Sequence, residues 1–430
     1  MTLSDKENME KILEFNVTPP LYTPFYNEWG ANAYYTYAPF DRAPFELRCS
    51  STSGSPVVIA GSSFFGLMTD RGGRFIYDGK HTLTAVIPEG QELFFREGCD
   101  TRVAWEEYNA LLLGGCAPRV NEDFWGGLEY CTWVDQKRVA KLAGADNPWT
   151  SLTEEYVYEY MARVKKLGLP KGKLTIDDGW SVRFAPDGKL TYGDWVIDRE
   201  RFPNMERLVK DMIAEGFIPG LWFAPFTATP NSEIGKKYPD LLGDTFSQNA
   251  EAEAVRRLLF FKPDERLREY YRESFEPYIR MGFKKLKLDM SYGKKSDMIA
   301  LLKMMYEVVK SIDASVEVEA HIPDIFATRY CDTLRINDVS LDSEGKWRGV
   351  THEHYKVCRG SSPDIILNLD HLGTNSPMPA YGDFIAHVDM LLDFEVGYPC
   401  VSLLPDCFGE RESADFAERV NGWVAKASAR

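Results

Sequence analysis

The segment Lys285-Leu286-Lys287-Leu288-Asp289-Met290 alternates charged and apolar residues and carries a carboxylate, Asp289, near its end. In an extended strand Lys287 and Asp289 project to the same side. Leu334-Arg335-Ile336-Asn337-Asp338 repeats the device further along, again with a cation just before the acid. Two acids at strand ends, each with a cation close by, meet the needs of a reaction at a sugar's anomeric carbon. One stays ionised and attacks, while the other holds a proton for the departing oxygen.

Other strand ends would bring further polar and aromatic groups to the same mouth. They are Ile176-Asp177-Asp178-Gly179-Trp180, Leu221-Trp222-Phe223, Glu317-Val318-Glu319-Ala320-His321, Asn368-Leu369-Asp370-His371 and Leu404-Pro405-Asp406. Carboxylates accept paired hydrogen bonds from vicinal hydroxyls, and an indole face packs on the C–H surface of a pyranose. Each group also has a plainer reading. Asp177 and Asp178 could cap a helix. Lys287 with Asp289, and Arg335 with Asp338, could be ion pairs that serve only the fold. Trp222 could be core. Glu319 reads either way, and His321 reads as a hydrogen-bonding wall rather than a base. His352 and His354 fall on a stretch read as solvated, and no metal or cofactor is expected.

What must position these groups is an alternation of short apolar strands with amphipathic helices. Strands are expected near 127–133, 173–178, 218–223, 284–290, 316–321, 333–339, 365–370 and 397–403. Helices are expected over 154–167, 205–215, 265–281, 297–311, 384–394 and 413–425, with Gly168 and Gly216 as stop signals. Eight strands in this order make an α/β fold, a (β/α)8 TIM barrel over residues 119–430. No Gly-rich dinucleotide fingerprint favours an open sheet. Residues 226–262 read as a long barrel loop. Residues 1–118 read as an N-terminal β-rich, sandwich-like domain, with short runs of Tyr, Phe, Thr and Val cut by turns such as Asp70-Arg71-Gly72-Gly73.

The bulk properties narrow the partners. A chain of 430 residues, 44% hydrophobic and 13% aromatic, can bury a large core. A formal charge of −15 argues against nucleic acid, and no apolar run is long enough to span a membrane. The eight cysteines lack CxxC spacing, so neither zinc nor a disulfide framework is expected. The charged N-terminus points to the cytoplasm. Self-association into a homo-oligomer is left open.

Taken together, Ile176-Asp177-Asp178-Gly179-Trp180, Gly193-Asp194-Trp195, Asp198-Arg199-Glu200-Arg201-Phe202-Pro203, Gly220-Leu221-Trp222-Phe223-Ala224-Pro225 and Lys287-Leu288-Asp289-Met290 resemble the family 36 glycoside hydrolases. These are melibiase-type α-galactosidases, with family 27 as relatives. The resemblance runs from about Asp123 to Pro405. It implies a retaining hydrolase of an oligosaccharide or other glycoside, with Asp289 as nucleophile and Asp338 as general acid/base. It also implies that Asp177 and Asp178 hold distal hydroxyls, that Lys287 binds a ring hydroxyl, and that Trp180 and Trp222 shape the wall. Glu319, His321 and Arg335 join them as substrate-binding candidates, and Asp342 is the fallback acid/base. The chain departs from the family pattern in three places: Glu319-Ala320-His321-Ile322-Pro323, Ala224-Pro225-Phe226 and Arg335-Ile336-Asn337-Asp338. Two other readings stay open. One is an enolase-like barrel with Mg²⁺ on Asp289, Glu319 and Asp338 and Lys287 as base. The other is a sugar-binding barrel without turnover.

Overall fold

The computed structural model describes residues 10–23, 39–40, 44–49, 57–70, 72–114, 122–145, 147–186, 188–245, 258–291, 293–321, 323–341, 345–361 and 365–428. Eight parallel strands close into a barrel in sequence order: Glu129–Cys131, Lys173–Ile176, Ile218–Phe223, Lys285–Leu288, Glu317–Ala320, Thr333–Arg335, Ile366–His371 and Tyr398–Val401. Each falls inside or within a residue of its expected span. The barrel closes where the first strand pairs with the last, Tyr130 against Val401.

The outer helices follow from their apolar stripes. In Glu154–Lys166, Tyr156, Val157, Tyr160, Met161 and Val164 are buried at helical spacing. The Thr153 hydroxyl accepts from Tyr156 N–H to cap the start, and Arg163, Lys165 and Lys166 complement the other end. Two barrel helices escape sequence reading, Trp133–Leu142 and Trp347–Ser361. Both carry polar residues in the buried stripe. Asp135 is fully buried because Arg163 holds it at 2.7 Å. Thr351 and His354 are likewise buried on the second helix. His354 is therefore not on a solvated stretch: its Nδ1 lies 3.0 Å from the Asn337 carbonyl, while His352 is exposed.

Ahead of the barrel stand two antiparallel sheets. One orders Lys11–Asn16, Thr82–Ile87, Arg74–Tyr77 and Phe45–Arg48, the other Pro39–Phe40, Leu21–Tyr22, Val57–Ala60, Ser63–Leu67 and Leu93–Arg96. Val58, Phe65, Leu67, Phe75 and Leu83 pack between them. A helix that was not expected, Thr101–Leu113, covers the second sheet. Gly66 makes room for it, since a Cβ there would lie 2.6 Å from the Tyr108 ring. The expected boundary between 118 and 119 lies outside the described residues, as does Asp342. The loop after the third barrel strand holds a helix, Glu233–Lys237, and a small sheet of Thr227–Ala228, Leu259–Phe261 and Leu242–Thr245. No helix among the described residues is long and apolar enough to cross a membrane.

Candidate active site

The period-two geometry of the strands puts two layers of charge inside the barrel. In the lower layer the Lys285 ammonium contacts Glu129, lies 2.5 Å from Glu319 and 3.5 Å from Glu317, and takes the Tyr398 hydroxyl at 3.1 Å. Lys173 reaches Glu317 at 3.0 Å, and Asn368 donates to Glu129 and Glu319 at 2.9 and 2.7 Å. Gly220 faces the same layer, where a Cβ would fall 2.5 Å from the Thr175 hydroxyl. Charges this deep persist only when paired and hydrogen-bonded. The layer is a fixed base for what lies above it. Glu319 belongs to this base: it is 1% exposed, beneath Arg335 at 3.5 Å.

Above it, Arg335 joins the two acids singled out first. Its Nη2 lies 3.2 Å from Asp289 Oδ1 and its Nη1 2.9 Å from Asp338 Oδ1. The side chain of Arg335 is 4% exposed, whereas those of Asp289 and Asp338 are 21% and 34% exposed. Both carboxylates therefore open to solvent from one mouth, one guanidinium apart. Trp222 Nε1 donates to Asp289 Oδ2 at 3.1 Å, and His321 Nδ1 stands 3.7 Å from Asp289 Oδ1. Asn375 donates to Asp338 Oδ2 at 2.9 Å and is held by Lys137, which donates to its carbonyl at 2.7 Å. Met290, directly after Asp289, has φ +60°, a strained conformation that turns the chain sharply at the strand end.

The remaining candidates are each held by partners of their own. Lys287 is bound to Asp177 at 2.8 Å rather than to Asp289, and Cys131 donates to the same Asp177 oxygen at 3.1 Å. Asp178 pairs with Arg183, and its carbonyl accepts from Gln136 at 2.7 Å. Neither acid caps the next helix, whose cap is Asn204. Trp180 has no exposed surface. It donates to the Trp222 carbonyl at 2.8 Å and packs edge-on against Phe223 and Tyr278. It supports the wall from behind and does not line it, because its indole fills the space between the strand ends and the helix Arg266–Met281.

These contacts decide the charge states. Burial alone would raise the Asp289 carboxyl, but Arg335, then His321 and Lys287, hold it well below the usual carboxylate range. Burial disfavours the Lys287 ammonium, yet Asp177 keeps it firmly protonated. Asp338 feels burial first too, and is carried far below its ordinary value by a hydrogen bond with Asp370 and by His371 and Arg335. Burial and the Asp338 charge push Asp370 well up. Burial takes His371 down to about 3, so its ring is neutral.

Among the described residues, two groupings gather three potential ligand atoms within 4.8 Å: Cys131, His371 and Cys400, and Asp338, Asp370 and His371. Each already faces a fixed cation. Lys287 Nζ lies 3.6 Å from Cys131 Sγ, and Arg335 holds Asp338. A metal ion would meet those charges at close range. Neither grouping has the character of a metal centre. Sequence reading brings Asp370 and His371 to the mouth without giving them a role, and passes over Asn375. The alternation Asn368-Leu369-Asp370 at the seventh strand end, which repeats that of Lys287-Leu288-Asp289, is the signal that finds Asp370.

Comparison with known proteins places this geometry. The melibiase family model matches residues 133–266. The α-galactosidase AgaA of Geobacillus stearothermophilus is 27% identical over 129 residues, which are 30% of this chain and 17% of that one. α-Galactosidase 2 of Pediococcus pentosaceus is 35% identical over 100 residues, 22% and 13% of the two chains. The matched segments thus span less than a fifth of these relatives. The crystal structure of AgaA, a family 36 α-galactosidase, superposes with TM-score 0.63 at 14% identity, covering 97% of this chain and 62% of that one. The α-galactosidase TtGalA of Thermus thermophilus, solved in complex with stachyose, gives 0.67 at 15% identity and covers 95% and 92%. Over residues 133–266 this chain is similar in sequence to the melibiases, and over nearly its whole length it shares the (β/α)8 barrel fold of the α-galactosidases AgaA and TtGalA.

Proposed function

We propose that the chain is a retaining glycoside hydrolase that cleaves a terminal α-galactoside or a related glycoside by double displacement. The observation that carries the reading is the pair Asp289 and Asp338, solvent-open at the ends of the fourth and sixth strands and facing one guanidinium. Asp289 is the nucleophile: Arg335, Trp222 and His321 hold it ionised and aimed, and its oxygen bonds to the anomeric carbon as the glycosidic bond breaks. Asp338 protonates the leaving oxygen and then takes a proton from the water that frees the sugar. Lys287 and Asp177 offer a charged edge to ring hydroxyls, with Asp178 beside them and Trp222 as the apolar wall. Arg335, His321 and the Asn375 amide complete the floor. The relatives' names favour α-galactose as the sugar, and the complex of TtGalA with stachyose fits an oligosaccharide substrate.

The enolase-like alternative needs Asp289, Glu319 and Asp338 around one ion and Lys287 free as a base. Instead Arg335 stands among the three acids, and Lys287 is committed to Asp177. A panel of nitrophenyl glycosides tests the function: α-galactoside, α-N-acetylgalactosaminide, β-L-arabinopyranoside and α-glucoside. Turnover of one or more is expected. Binding of the sugars with no turnover of any would replace the hydrolase by a sugar-binding barrel.

A further inference from the structure

The Asp338 carboxylate does not stand alone. Behind it, Asp370 ends the seventh strand in a left-handed conformation, φ +57°, uncommon for a residue with a side chain. The ladder to the eighth strand shifts register between Asn368 and His371, and the Asn368 side chain accepts from Asp370 N–H at 2.9 Å. Strain of this kind persists when the surroundings enforce it, and it clusters at working sites. Its effect is to aim the carboxyl of Asp370 at Asp338. The same guanidinium nitrogen, Arg335 Nη1, lies 2.9 Å from Asp338 and 3.4 Å from Asp370. The same imidazole nitrogen, His371 Nε2, lies 3.8 Å from one and 3.5 Å from the other. An oxygen of each carboxyl lies within 4.8 Å of one of the other. Two carboxylates this close repel, so ionising both is disfavoured and the pair favours keeping one proton between them.

We propose that the proton delivered to the leaving oxygen is held jointly by Asp338 and Asp370, with the buried Asp370 acting through the solvent-open Asp338. This rests on the hydrolase reading above. In the first step an Asp289 oxygen bonds to the anomeric carbon, the glycosidic bond breaks, and its electron pair on the leaving oxygen takes the proton from Asp338. Asp289 becomes a neutral ester while the pair becomes doubly ionised against Arg335, so the total charge of the site is unchanged. In the second step water supplies its oxygen to the anomeric carbon and its proton to the pair, and Asp289 is released. The charged and titratable groups that face the pair are Arg335 from the sixth strand, Lys287 and Asp289 from the fourth, His321 from the fifth and His371 from the seventh. Lys137 and His354 face it from the helices after the first and sixth strands. Without Asp370, the cations in this set would leave Asp338 a permanent carboxylate. With Asp370 the pair keeps one proton to higher pH, as coupled carboxyls do.

The test is Asp370→Asn, isosteric and unable to ionise, followed by kcat and kcat/KM against pH. The alkaline limb should move down by about one pH unit or more. At pH 7 a methyl glycoside should slow by at least about tenfold, while a dinitrophenyl glycoside, which needs no proton, changes little. KM should hold. A folded variant whose alkaline limb stays in place overturns the proposal. A second readout needs no turnover: carboxyl titration by NMR in protein labelled with ¹³C-aspartate. One aspartate should stay protonated above pH 7 in the parent, and in Asp338→Asn that carboxyl should titrate in the acid range. If every aspartate of the parent ionises below pH 5, the shared proton is refuted even in an active hydrolase. If the proton is present and no glycoside is cleaved, the hydrolase reading fails and the pair stands.

Discussion

Replacing Arg335 by Met removes a cation that touches four acids at once: Asp338 at 2.9 Å, Asp289 at 3.2 Å, Asp370 at 3.4 Å and Glu319 at 3.5 Å. An adjacent arginine typically lowers an aspartate by about one to three pH units. Asp289, held well below 3.8 with Arg335 as its chief depressing partner, should therefore rise by about that amount. A nucleophile with a depressed value stays ionised as pH falls, so the parent should show no acid limb in kcat/KM down to about pH 4. In the variant the carboxylate protonates sooner, and the limb should appear at higher pH by the same one to three units or so. Each unit is worth about 1.4 kcal/mol. Leaving buried acids without their cation should also cost stability, on the order of 3–5 kcal/mol. Arg335→Lys should fall between, since an ammonium cannot fork to Asp289 and Asp338 together. The assay is kcat/KM from pH 3 to 9 with the best aryl glycoside, beside thermal unfolding of all three proteins. A Met variant with the parent's acid limb and the parent's melting temperature would refute the role given to the guanidinium.

Other consequences are open to quicker checks. Asp338→Ala should retain most activity on dinitrophenyl glycosides and lose about 10²–10⁴-fold on alkyl glycosides; equal loss on both would remove it as the acid. Dialysis against EDTA should leave turnover unchanged, because Arg335 and Lys287 already supply the positive charge that a metal would bring. Activity that vanishes and returns with Mg²⁺ would revive the enolase-like reading. Lys285→Met should destabilise the barrel by about 3–5 kcal/mol, since it strands Glu129 and Glu319 without their partner. A variant that melts with the parent would show that the lower layer tolerates unpaired charge.

Much of the barrel was legible because its strands are short apolar runs between amphipathic stripes, and a parallel sheet buried on both faces leaves that trace. The helices at Trp133–Leu142 and Trp347–Ser361 were not, because Asp135, Thr351 and His354 occupy buried positions that periodicity assigns to apolar side chains. The partners of Asp135 and His354, Arg163 and the Asn337 carbonyl, lie 28 and 17 residues away in sequence. The site divides in the same way. Asp289, Asp338 and Arg335 announced themselves by position at strand ends. The partner of Lys287 did not, because the choice between Asp289 and Asp177 depends on how neighbouring strands align across the barrel. Trp180 and Glu319 stand at strand ends just as Trp222 and His321 do. All four are buried, so it is their contacts rather than their position at a strand end that tell support from wall. The pairing of Asp338 with Asp370 rests on a register shift and a left-handed residue, and neither leaves a mark in composition.

The most direct measurement is covalent capture of the nucleophile. A fluorinated glycoside of the preferred sugar, carrying a good leaving group, forms the glycosyl ester quickly and releases it slowly. Mass spectrometry of the digested protein should then place one added sugar on Asp289. A sugar found on any other side chain, or a product released with inverted configuration and no adduct, would contradict the mechanism.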